Sequence, residues 1–172
     1  MSPLKFRRGA VDAGVSSDWF AIVCLMKLPD GRYHVTHVRV FIPEKNNEVD
    51  FKAAETYIRE FVKTHNVLEI SYDKYQLHGM MQAFRQERTA RTFDFNQGDE
   101  RVLADKALRD AIMARTITHD GNTILREAIL NANAKTEGND SRLRLVKRSA
   151  LLKIDPAVAL SMVHARALQV RI

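Results

Sequence analysis

Cysteine is almost missing from this sequence. The 172 residues hold one, Cys24, inside an apolar run, so neither an intrachain disulfide framework nor a cysteine-built zinc site is available. A reducing, intracellular setting fits. Long apolar stretches are also missing: none nears the roughly 20 residues that a bilayer crossing needs. The first residues, MSPLKFRRGAVDAG, lack the apolar core and cleavage site of a signal peptide, so neither secretion nor a membrane anchor is expected. None of the seven glycines opens a Gly-Lys-Ser/Thr phosphate loop, which leaves no P-loop nucleotide motor in these residues. The six histidines form no His-Glu-x-x-His zinc pattern, and His34, His37, His65 and His164 read as packing or surface residues. Negative charge is in short supply, with 21 acids against 27 Lys and Arg. The resulting net charge of +6 makes a polyanionic partner plausible without requiring one.

What is present suits one globular domain: 45% hydrophobic and 28% charged residues, no low-complexity tract, no internal repeat and no linker. RRGAVDAG, SSDWFAIVCLMKL and, after the turn PDG, RYHVTHVRVFIP are rich in β-branched and aromatic residues and read as three strands in hairpin succession. Residues 50–65 place Phe51, Ala54, Tyr57, Ile58 and Phe61 on one face at helical spacing. The apolar run NVLEISYD follows as a strand. QLHGMMQAFRQER reads as a helix, ARTFDFN as a strand, and DERVLADKALRDAIMART as a charged helix. After them come TILREAILNANA as a helix, the loop KTEGNDS, the basic strand RLRLVKR and a last helix from Asp155. Alternation of this kind predicts an α/β fold. Trp19, Phe20, Phe41, Tyr57, Phe61 and Phe84 follow strand or helix periodicity and are assigned to packing.

Three acids stand at element ends. Asp12 closes the first strand, Asp73 closes the fourth, and Asp155 opens the last helix. In open α/β sheets functional groups gather where strands end, so the three carboxylates can converge. Unpaired, they would repel and raise one another's pKa values; a divalent cation resolves that conflict. Oxygen donors suit Mg2+ or Mn2+, and two such ions ~3.5–4 Å apart serve phosphodiester hydrolysis. The plainer reading is that strand-end aspartates shape turns and that Asp155 caps its helix, with Pro156 at the first helical position.

GAVDAGVSSDWFAIV, LEISYDKYQ, THDGNTILREAILNANA and RLVKRSALLKIDPAVALSMVHARA decide between these readings. In this order they resemble the C-terminal nuclease domain of tailed-phage terminase large subunits. The last stretch is the most specific: a basic residue, then Ile-Asp, then an Ala-rich helix. The resemblance implies an RNase H-like fold, a central mixed sheet flanked by helices, over residues 1–172 as a single domain. It implies that Asp12, Asp73 and Asp155 are the catalytic acids and hold two Mg2+ or Mn2+ ions, Asp155 acting as ligand as well as cap. It implies a metal-dependent endonuclease that cuts double-stranded DNA, trimming concatemeric viral genomes during packaging in the cytoplasm of the infected host.

The family's full proteins carry a packaging ATPase, so the chain reads as an excised or separately encoded nuclease domain. Its partners would be that ATPase domain, the small terminase subunit, the portal and DNA. Arg142, Arg144, Lys147, Arg148 and Lys153 lead to Asp155 and are the expected phosphate contacts, with Lys147 matching a basic position of the family. A solvated edge strand guarded by charge is the alternative. Arg85, Arg88 and Arg91 form a lesser patch. Asp18 and His119 fall in family motif regions and are expected near the site. Two other functions stay open: a non-catalytic DNA-binding or docking module of the same fold, and a nuclease of the junction-resolvase or transposase kind.

Overall fold

One run, FAIVCLMK, organises the molecule. In strand β2 (Phe20–Lys27) alternate side chains point to opposite faces, and both sets are apolar: the six residues from Phe20 to Leu25 are 4% exposed or less. A strand buried on both faces must lie inside a sheet covered on both sides. The computed structural model of the chain describes residues 7–13 as backbone. It describes residues 18–44, 48–136, 138 and 142–170 with side chains, that of Gln76 excepted. Strand β2 is followed by β3 (Tyr33–Phe41), helix α1 (Phe51–His65), β4 (Val67–Asp73), α2 (Lys74–Gln86) and β5 (Arg91–Phe95). Strand β1 (Arg7–Ala13) precedes it. Then come α3 (Asp99–Met113), β6 (Ile117–His119), α4 (Thr123–Leu130), β7 (Ala132–Thr136), β8 (Leu143–Lys147) and α5 (Asp155–Gln169).

The main sheet has the order β5-β4-β1-β2-β3-β6. Strands β1, β2 and β3 pair antiparallel, as the hairpin reading requires, while β4 runs parallel to β1, β5 parallel to β4 and β6 parallel to β3. The turn between β2 and β3 closes through Gly31 at φ 86°, where its N–H bonds the carbonyl of Leu28 at 3.0 Å. This is the mixed α/β architecture expected from the sequence.

The pleat of β2 divides the interior in two. Phe20, Ile22 and Cys24 pack with Ala54, Ile58 and Phe61 of α1 and with Leu77, Met81 and Phe84 of α2. Ala21, Val23 and Leu25 pack against Val158, Leu160, Met162 and Val163 of α5. Helix α5 is buried from Asp155 to His164 because the sheet lies on one side of it and α3 and α4 on the other. A helix apolar all round belongs in such a place. Each large side chain buried there contributes roughly 1.5–3 kcal/mol. Of the aromatics assigned to packing, Phe20, Phe61 and Phe84 are buried, and Trp19, Phe41 and Tyr57 are half-buried around them.

Two local expectations are corrected, and one short strand is added. The helix expected over residues 123–134 stops at Leu130, and Ala132–Thr136 form β7, paired antiparallel with β8 in a separate two-stranded sheet. Asn131 ends the helix, and its backbone carbonyl accepts from the N–H of Arg148, which joins the segment to the strand end. Strand β6 has three residues and too little periodicity to be read from sequence. Asp155 is not the cap of α5. Ile154 holds that position, its carbonyl accepting from Ala157 and Val158 at 2.8 and 3.0 Å, so Asp155 is already helical and its carboxylate caps nothing.

Candidate active site

The register of the parallel strands brings the first two acids together. Val11 of β1 pairs with Tyr72 of β4, the last pair of that ladder, so the next residues, Asp12 one short of the end of β1 and Asp73 at the end of β4, stand at one level on neighbouring strands, about 4.8 Å apart in the sheet. The side chain of Asp12 lies outside the described residues. Asp73 is half-buried and caps α2, its Oδ1 accepting from the N–H of Tyr75 at 3.0 Å. That bond uses one carboxylate oxygen; Oδ2 takes no hydrogen bond among the described residues.

Asp155 is 5% exposed, and its Oδ2 is buried with no hydrogen-bond partner among the described residues. Burial pushes its carboxyl above the usual carboxylate range. The residue's own backbone N–H, Lys147 and Lys153 act the other way, and the charge of Asp18 raises it further. An ionised oxygen in that position is costly unless a cation or a proton meets it.

Asp18, just before β2, stands beside this acid. Its Oδ1 accepts from Lys147 Nζ at 2.5 Å and from Lys153 Nζ at 2.9 Å. Partial burial pushes Asp18 up, but the hydrogen bonds and charges of the two lysines outweigh it and hold the carboxyl below its ordinary value. Asp18, singled out in the sequence, thus lies near Asp155, and the two lysines that answer it come from β8 and the segment before α5.

A buried network fixes β8 so that Lys147 can reach. Asp105 of α3 is fully buried and takes both oxygens to Arg101 Nε at 2.9 and 2.8 Å; Oδ1 also accepts from Ser161 Oγ at 2.5 Å. Its Oδ2 accepts from the backbone N–H of Leu145 at 2.9 Å, clamping β8 to α3 and α5 two residues before Lys147. Sequence reading did not single out Asp105. Its only local signal is an Arg four residues earlier on one helix face, which is common on solvated helices.

The remaining basic residues divide. Arg142 bonds Asp99 at 2.5 Å, and Arg148 donates to the carbonyl of Leu130 at 3.1 Å. Arg144 lies across from Lys135 in the β7–β8 pair, two like charges whose repulsion a bound anion would relieve. Arg142 precedes β8, so it does not share a strand face with Arg144. In the lesser patch, Arg85 donates to the Tyr72 hydroxyl at 2.5 Å.

His119 is not brought to the acids. It pairs with Val35 on the sheet's edge, whereas Asp12 pairs with Ala21, which faces Val40. Three strands across and five positions along separate them, on the order of 20 Å.

The donors gathered here are carboxylate oxygens, the set that hard divalent cations prefer, and the orphaned Asp155 oxygen is where a cation would be compensated. Among the described residues no three His, Cys, Asp or Glu side chains form a group able to hold a metal by themselves. The chemistry of these donors, carboxylate oxygens with one left unpartnered among the described residues, suits a hard divalent ion.

Comparison with curated proteins returns no match. Among solved structures the chain is similar to the large terminase of bacteriophage HK97, with a TM-score of 0.80 and 16% identity over 96% of this chain. It spans 40% of that terminase. It is also similar to the large terminase nuclease of thermophilic phage G20c, with a TM-score of 0.71 and 8% identity, covering 95% of this chain and 83% of the other. The nuclease domain of the bacteriophage SPP1 large terminase, solved with bound Mn, gives a TM-score of 0.66 and 19% identity, covering 96% and 89%. At such identities these likenesses show the fold, which is RNase H-like. Residues 46–170 match the family described as terminase large subunit, endonuclease domain, and the chain belongs to that family.

Proposed function

We propose that the protein is a divalent-metal-dependent endonuclease that hydrolyses double-stranded DNA, with Asp12, Asp73 and Asp155 as the metal-holding acids. The observation that carries this reading is the buried, unpartnered Oδ2 of Asp155, set beside a second carboxylate and two lysines. Two bound Mg2+ or Mn2+ ions would supply an activated water and charge stabilisation at the leaving oxygen.

The protein's own groups do the rest. Asp73 is held in one rotamer by the Tyr75 N–H, and Asp155 by burial at the first turn of α5, so neither carboxylate has to be ordered on binding. Lys147 and Lys153 put two ammonium groups at the site, where a phosphodiester can replace Asp18 as their partner. Arg144, with Lys135 opposite, continues positive charge along β8, and Arg142 and Arg148 flank it at the surface. Contacts of this kind grip phosphates without reading bases.

By family the reaction would trim concatemeric genomes during packaging in the host cytoplasm, beside a packaging ATPase domain, the small terminase subunit and the portal. No described helix is long and apolar enough to cross a membrane. The test is plasmid cleavage with Mn2+ or Mg2+. Supercoiled DNA should be nicked and linearised, chelation should stop it, and Asp73→Asn, which keeps the helix cap, should be inactive. Cleavage that persists in EDTA or in Asp73→Asn would end the proposal, and a strong preference for four-way junctions would move the protein to the resolvase class.

A further inference from the structure

The far edge of the sheet carries a cleft on the flank opposite the strand ends of Asp12 and Asp73. After α3 the chain turns through Arg115, which is left-handed at φ 56°, and enters β6 and then α4. Ile117 of β6, Leu125 and Ile129 of α4 and Leu160 of α5 thereby floor a cleft of about 350 Å³. At its lips Ile112 and Leu130 are 37% and 52% exposed. Single exposed apolar residues need no explanation, but two beside one open apolar cleft form a patch of the kind that marks interaction surfaces.

The rim of this cleft is cationic. Arg32, Arg115 and Arg126 line it, and no carboxylate does. Arg32 is already held by Asp30 at 2.7 Å. Arg115 and Arg126 are exposed and make no ion pair among the described residues. Arg115 also occupies a left-handed position after a helix, where glycine is the usual residue and a side chain is mildly disfavoured.

We infer that this cleft docks an acidic, apolar peptide segment of a partner protein. Its large apolar side chain fills the floor between β6 and α4, and its Asp or Glu carboxylates meet Arg115 and Arg126. A nucleic-acid backbone would use the arginines but leave the apolar floor and lips in water, whereas an apolar anchor inside a polar rim is the anatomy of a protein interface. The inference is independent of the nuclease reading, since β6 stands on the opposite flank of the sheet from β4.

The test is a display selection of randomised dodecapeptides on the whole protein, followed by fluorescence anisotropy with the enriched peptides. Arg115→Gly/Arg126→Ala is the comparison protein; glycine suits the left-handed position, so the variant should melt no lower than wild type by more than a few degrees. Enriched peptides should combine Asp or Glu with Leu, Phe or Trp. They should bind the double variant about tenfold more weakly, bind Leu130→Asp more weakly still, and resist displacement by duplex DNA. No enrichment, peptides without the acidic and apolar pair, equal binding to the double variant, or displacement by DNA would each overturn the assignment.

Discussion

Replacing His164 by leucine should remove a specific part of the protein's acid sensitivity. The imidazole is 2% exposed in the middle of α5, its Nδ1 has no hydrogen-bond partner among the described residues, and the Tyr33 ring meets it edge-on at 5.3 Å. Burial pushes its pKa down to about 4 from the ordinary 6.5. Between those values the unfolded chain takes up a proton that the folded protein refuses, so folding stability falls as pH drops from about 6.5 to about 4 and then levels. At about 1.36 kcal/mol per pH unit the loss is about 2 kcal/mol at pH 5 and roughly 3 kcal/mol at pH 4. Asp155 has the opposite sign, since its raised pKa favours the fold at low pH and that advantage is lost as pH rises. Subtracting the variant's curve from the wild-type curve cancels Asp155 and every other shared group. Urea unfolding of both proteins at pH 7, 6 and 5 measures the difference. Leucine changes packing too, so the offset at pH 7 carries no weight and the slope decides. Curves that stay parallel from pH 7 to 5 would refute a neutral, buried His164.

Asp155→Asn should leave metal-free thermal stability equal or higher, because a costly buried charge is removed, and should abolish both plasmid cleavage and stabilisation by Mn2+; melting with EDTA and with Mn2+ reads both. Asp105→Ala leaves Arg101 buried without its carboxylate and frees β8, and should cost about 3–5 kcal/mol in urea unfolding. Replacing Arg144, Lys147 and Arg148 by alanine should weaken binding to duplexes of any sequence and flatten the dependence of log affinity on log salt, measured by anisotropy between low and moderate salt.

The sequence by itself determined what short-range pattern can carry. The unbroken apolar run in FAIVCLMK, helical spacing in residues 50–65 and the mostly apolar run after Asp155 specify a doubly covered strand, an amphipathic helix and a buried helix, because burial acts through periods of two and 3.6 residues. Strand-end positions for Asp12 and Asp73 follow from the same local signals. Tertiary structure alone decided the rest. Lys147 and Lys153 meet Asp18 across 129 and 135 residues of chain, Asp105 reaches β8 across 40, and nothing local announces either contact. Segment NANAKT alternates over only four residues and with nothing larger than alanine, and it becomes β7 because β8 offers its backbone a partner. Asp155 has the composition of a helix cap, yet Ile154 takes the cap position and the Asp155 carboxylate is buried, with one oxygen unpartnered among the described residues. His119 was separated from the acids by strand order, which long-range pairing sets and which no window of neighbouring residues encodes.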